Sequence, residues 1–308
     1  MSSGGSKRAI IAALLANAGI ALAKFVGYVI TGSSSMLAEA VHSVADTSNQ
    51  GLLLWGQRQA GKAPDALHQF GYGRSRYFYS FVVALVLFSL GAAFALYEGY
   101  EKIVHPHQLT SPYVAITILV VAIGLESFSF RTAMVESRPL KGSGSWWRFI
   151  RSSRNPELPV VLLEDTGALI GLVLALAGVG LTMATGNPIW DGIGTLCIGA
   201  LLAVIAVILM VEMHSALIGE GATPQEDDAI RGALEQTDNV ERVIHLRTQY
   251  LSPDELLVGA KIALAPETDL ATVAAAIDAA EVAVRTAVPA VTVIYLEPDL
   301  DRAPTVEP

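Results

Sequence analysis

Charge is scarce in this chain of 308 residues: Asp, Glu, Lys and Arg together make up 16%, against about a quarter in soluble domains. Cysteine is scarcer still. Cys197 stands alone inside an apolar run, which excludes an intramolecular disulfide and leaves the redox compartment open. It reads as a small buried hydrophobe. No basic excess exists either, and a net charge of −9 argues against nucleic acid as a partner. HExxH and a nucleophile elbow are also missing, which leaves an enzymatic reading little to stand on.

Hydrophobic residues make up 52%, and the mean hydropathy is +0.48. The charge is unevenly divided. From Ala216 onward there are 17 acidic and 6 basic residues; residues 1–215 hold 12 and 14. The acidity therefore belongs to a tail, and the first two-thirds is nearly neutral. A membrane-spanning helix needs about 20 mostly apolar residues. Six stretches qualify: 9–30, 35–58, 77–100, 112–134, 157–183 and 188–214. Lys7-Arg8 and the run ending Ala21-Leu22-Ala23 imitate a cleavable signal. The apolar run resumes after Lys24, however, so this segment is read as a retained first helix.

Basic residues alternate in side. They occur at Lys7 and Arg8, then between helices two and three (Arg58, Lys62, Arg74, Arg76), then between four and five (Arg138, Lys141, Arg148, Arg151, Arg154). The positive-inside bias places both termini on the cytoplasmic side. With no targeting sequence read, a bacterial-type plasma membrane is the expectation.

Residues 1–215 are thus expected to be an all-α membrane domain of six transmembrane helices. Residues 216–308 are expected to be a small cytoplasmic α+β domain for dimerisation. Thr223-Pro224 is a capped helix start for 225–236. Two β-rich runs, 241–251 and 255–264, are split by the turn signal Ser252-Pro253-Asp254. An Ala-rich helix at 268–287 and a strand at 290–297 complete an αββαβ order.

Ionisable groups at membrane depth cost roughly 2.5–3.5 kcal/mol each on insertion scales, so they are functional candidates. Helix two holds Glu39, His42 and Asp46, spaced i, i+3 and i+7 along nearly one stripe. Imidazole plus carboxylate on one face suits zinc and similar divalent ions. A polar pair that merely joins helices in lipid has the same spacing. Helix five carries Glu164 and Asp165 in an apolar span with no basic residue to neutralise them. Adjacent residues point about 100° apart; Asp165 is read as the inward ligand and Glu164 as auxiliary. Lys24 either pairs with an acid of this site or snorkels to an interface. Glu126 is open to interhelical bonding or proton relay, Asp191 is read as an interfacial end residue, and WWRFIRSSR as an amphipathic segment on the membrane surface.

The stretch SSSMLAEAVHSVADTSNQ resembles the second helix of the cation diffusion facilitator family, ALHQFGYGR its loop after helix two, and LIGEGATPQE its junction into the soluble domain. The Glu164-Asp165 pair, GYGRSRYFYS, YEG and ESFSF are similar to the zinc transporter nine-like branch. The resemblance implies a homodimeric, proton-coupled exporter of Zn²⁺, without a prosthetic group, whose soluble domain is metallochaperone-like (ferredoxin-like). It places the family's helix-two pair on His42 and Asp46, and its helix-five pair on Val161 and Asp165, so one histidine is missing. Glu164, Glu39, Asn17 or water are the candidates to replace it. With fewer nitrogen donors, Mn²⁺, Fe²⁺, Co²⁺ and Cd²⁺ stay open. The family's loop site falls on Asp65, His68 and Tyr72, with tyrosine in place of a histidine, which leaves a weak two-ligand site. In the tail, His245 matches a family ligand, but Lys261 would repel a cation, so packing rather than structural zinc is expected there. A sensing dimer that binds metal without moving it, and a membrane metalloenzyme, are the competing readings.

Overall fold

The computed structural model describes residues 18–141, 144–153 and 156–300. They form two compact units. One combines the described residues up to Gln59 with Ser75–His214; the other combines Ala60–Arg74 with the residues from Ser215 onward.

The first unit is helical: α1 (Ala18–Thr31), α2 (Ser34–Ala60), α3 (Ser75–Val104), α4 (Pro112–Lys141), α5 (Trp146–Ser152), α6 (Glu157–Thr185) and α7 (Ile189–Ile218). Among the described residues, four segments are long and apolar enough to cross a membrane: α3, Pro112–Val135 of α4, α6 and α7. Of the other two predicted spans, α1 is described over 14 residues, and positions 9–17 lie outside the described residues. The 27-residue α2 has the length but not the apolarity, because Glu39, His42, Asp46 and several Ser, Asn and Gln lie along it. That composition fits its place: Ser34, Ser35, Glu39, His42, Ser43 and Asn49 are all buried in the bundle.

The outer faces are apolar instead. On α7, Ile193, Val204, Val207 and Val211 are exposed along one helical stripe, the surface that a hydrocarbon solvent covers. Cys197 lies on this stripe and is exposed rather than buried, because its position follows the lipid-facing repeat of the helix. The inner faces meet in a core that includes Met36, Leu87, Leu119, Leu172, Ile198 and Leu202. Gly186, at φ 70°, ends α6 in the left-handed conformation, and Asn187 Oδ1 accepts from the Ile189 N–H to start α7 at 3.1 Å. The short α5 does not offer all its residues to the surface: Phe149 is buried against Ala133 and Leu162, while Trp147 is exposed.

The second unit follows the expected αββαβ order: α8 (Pro224–Glu235), β1 (Val240–Ser252), β2 (Glu255–Leu264), α9 (Leu270–Ala287) and β3 (Val291–Leu300). Thr223 and Glu226 form a reciprocal capping box with Pro224 in the first turn of α8. The sheet order is β1-β2-β3, antiparallel and then parallel, with α9 making the crossover. Ile230, Leu234, Leu256, Val258 and Ile262 are fully buried between the helices and the sheet. Each contributes roughly 1.5–3 kcal/mol by burial. The connection 60–74 belongs to this unit. Gly73 lies so close to the β1–β2 turn that a Cβ there would stand 3.0 Å from the Leu251 carbonyl oxygen.

Candidate metal centre

Three helices supply the site. The stripe on α2 places Ser43, Asp46 and Gln50 at successive turns, and α6 places Val161, Glu164 and Asp165 within one turn. Glu126 comes from α4. These seven side chains line a cavity of about 20 Å³, room for about one water-sized particle. No basic side chain is among them.

Each α6 carboxylate is oriented from a neighbouring helix. Asn49 Nδ2 donates to Glu164 Oε1 at 2.6 Å, tying α2 to α6. Ser129 Oγ donates to Asp165 Oδ2 at 3.3 Å, tying α4 to α6. Both members of the Glu164-Asp165 pair line the cavity, although they point apart on the helix: Glu164 is drawn to α2 and Asp165 to α4. His42 is wholly buried, with Nδ1 3.6 Å from Asp46 Oδ1, beyond hydrogen-bond length. Gly91, in a π-helical turn of α3 (Leu87–Ala93), packs beside it.

Among the described residues, seven buried side-chain polar atoms have no hydrogen-bond partner. Five of them are on α2: Glu39 Oε1, both ring nitrogens of His42, Asp46 Oδ1 and Asn49 Oδ1. Buried polar groups are normally bonded, and each exception calls for an explanation. Among the described residues, no three His, Cys, Asp or Glu side chains converge to hold one ion; the donors stand around a cavity instead.

Lys24 resolves as a pairing residue. It is fully buried and donates to Glu39 Oε2 at 3.1 Å and to Ser43 Oγ at 2.8 Å. Glu39 is therefore neutralised by a neighbour and does not line the cavity. Asn17 lies outside the described residues. Sequence reasoning placed Asp191 in the interface, yet it is fully buried. It accepts from Ser33 Oγ and the Ser34 N–H, each at 2.8 Å, and from Ser35 Oγ. Lys102 Nζ stands 4.0 Å away. The run of three serines in the short α1–α2 connection was the available signal, since so many donors call for a buried acceptor.

The loop residues form a clasp. Asp65 Oδ2 accepts from the Tyr72 hydroxyl at 2.6 Å, and Oδ1 accepts from the backbone N–H of His68 at 2.7 Å and of Leu67 at 2.9 Å. The Tyr72 hydroxyl, then the His68 N–H, hold the Asp65 carboxyl down at about 2. The imidazole of His68 is 3.4 Å from Asp65 and stacks near Tyr72. In the sheet, Lys261 sits across from exposed His245, with its ammonium 2.9 Å from Glu297 and 3.3 Å from Asp299.

Comparison with known proteins gives this arrangement a family. The cation efflux transmembrane domain matches residues 10–218, and the cation efflux protein cytoplasmic domain matches residues 222–299. The human mitochondrial proton-coupled zinc antiporter SLC30A9 is 34% identical over 243 residues, 78% of this chain and 43% of that protein. Metal tolerance protein C4 of Arabidopsis thaliana is 31% identical over 265 residues, 83% of this chain and 57% of that one. The chain thus spans about half the length of these curated relatives. A solved variant of the MamM C-terminal domain is 22% identical over 25% of this chain and 93% of that one, with a TM-score of 0.24. Both matched domains are those of cation transporters rather than enzymes, and the chain belongs to the cation efflux family.

Proposed function

We propose that this protein exports divalent metal ions, zinc foremost, in exchange for protons, by alternating access around the α2–α6 cavity. The observation that carries this reading is the set of buried donors on α2 without partners, His42 Nδ1, His42 Nε2 and Asp46 Oδ1, beside a cavity whose wall holds Asp46, Glu164 and Asp165. His42, Asp46, Asp165 and Glu164 are the proposed ligands, with Asn49 and Ser129 orienting the two α6 carboxylates. Glu39 is left to Lys24.

Carboxylates and imidazole hold metal only when deprotonated, so metal entry releases protons and proton entry releases metal. Six spans are proposed, with α1 and α2 as the polar inner pair beside the four apolar helices. The basic residues of the α2–α3 and α4–α6 connections support cytoplasmic termini, in a bacterial-type plasma membrane; the human relative is mitochondrial. The αββαβ domain is proposed to join two copies by packing. We read Asp65 and His68 as a loop clasp rather than a strong metal site, because both Asp65 oxygens are already engaged.

The test is zinc and manganese flux into proteoliposomes under an imposed pH gradient, wild type against Asp46→Ala. Gradient-dependent flux that disappears in a well-inserted Asp46→Ala protein is expected. Undiminished flux in that variant would sink the site assignment. Tight binding without any flux in the wild type would make the protein a metal sensor.

A further inference from the structure

Glu126 lies midway along the apolar α4. It is 9% exposed, lines the cavity beside Asp46, Glu164 and Asp165, and has no hydrogen-bond or ion-pair partner among the described residues. A glutamate that served only to pack helices in lipid would be bonded across the interface. Its neighbour one turn on, Ser129, is bonded in that way, to Asp165. Glu126 instead ends in the cavity. With no donor bonded to it among the described residues, its carboxylate faces the cavity free to meet a proton or a metal ion. Val161 lines the same cavity and offers it only methyl groups.

We propose that Glu126 is a direct ligand of the transported ion and supplies the donor that Val161 cannot. The site then draws on three helices, and an oxygen stands where a nitrogen would favour zinc. Carboxylate suits harder ions than imidazole does, so Glu126 raises the manganese-to-zinc ratio. This rests on the cavity being the transport site.

The experiment measures manganese and zinc uptake by proteoliposomes of the full chain under a pH gradient, for wild type, Glu126→Gln, Glu126→Asp and Glu126→Gln/Val161→His. Glu126→Gln is expected to raise the manganese KM at least about tenfold, with a smaller change for zinc. The added histidine of the double variant should restore zinc uptake without restoring manganese. Should Glu126→Gln fail to insert, Glu126→Asp decides: a shifted metal ratio supports the proposal, and an unchanged one overturns it. Wild-type KM values for both metals in an inserted Glu126→Gln protein, with uptake lost in Asp46→Ala, would overturn the ligand role alone. Uptake retained in Asp46→Ala would overturn the underlying site.

Discussion

Lys24 on α1 and Glu39 on α2 form a wholly buried ion pair, with Nζ 3.1 Å from Oε2. The same ammonium donates to Ser43, whose side chain also lines the cavity. The pair therefore holds α1 on α2 at the level of the site and takes one acid out of competition for the cargo. Removing one partner of a buried pair is strongly destabilising, roughly 3–5 kcal/mol. Lys24→Met should lower the unfolding midpoint of the protein in detergent, and Lys24→Met/Glu39→Gln should recover much of the loss. A Lys24→Met protein as stable as wild type would remove the pair from any account of the bundle.

Glu39 packs against α6 at Gly171. A Cβ there would stand 2.5 Å from Glu39 Oε1. Gly171→Ala should displace Glu39 Oε1 and lower the unfolding midpoint, but by less than Lys24→Met, because the flexible end of the side chain can shift while Oε2 keeps Lys24. Gly180→Ala, on the same helix with nothing within 4 Å of its Cβ position, should leave stability unchanged. Thermal unfolding of the two variants side by side makes the comparison.

Asp191 fixes the α1–α2 connection to the start of α7 through Ser33, Ser34 and Ser35. Asp191→Ala leaves the Ser34 N–H, and one of the Ser33 and Ser35 hydroxyls that also bond each other at 3.0 Å, buried without an acceptor, at about 1–3 kcal/mol for each left unsatisfied. Faster hydrogen exchange at the Ser34 amide is expected, together with a lower unfolding midpoint. Wild-type protection at that amide would contradict the assigned bond.

The Asp65 clasp makes a pH prediction. Its carboxyl titrates at about 2 in the folded protein, below the ordinary value of about 3.9. Ionised Asp65 therefore favours the folded loop. That contribution is fully present above the ordinary value and is lost as pH falls through about 2. Carbon-13 carboxyl shifts should show Asp65 titrating near 2, and Tyr72→Phe should move it upward by removing the largest cause. A wild-type value near 4 would mean that the clasp does not form.

The tail domain was legible because its signals are local. Thr223-Pro224 marks a helix start, and Ser252-Pro253-Asp254 marks the turn between two β-rich runs. The stripe Glu39, His42 and Asp46 was legible for the same reason, since helical period alone puts these residues on one face. What the period could not tell was which acids meet which partners. Asp191 looked like a helix end near the membrane surface, and only the serines of a connection more than 150 residues away make it a buried acceptor. Cys197 looked buried within its apolar run, yet the apolar face that carries it points outward.

The sequence by itself determined the apolar helices, the polar stripe on α2, the unneutralised pair on α6 and the αββαβ tail, because each follows from composition and short-range spacing. Tertiary structure alone decided that Lys24 belongs to Glu39, that Glu126 joins the cavity with Asp46 and Asp165, and that Asp191 is sealed under three serines. Helix period sets the face a residue occupies, but the packing of helices distant in sequence sets what that face meets. In a bundle with few charges, those meetings decide which carboxylates are neutralised by a cation of the protein and which are not.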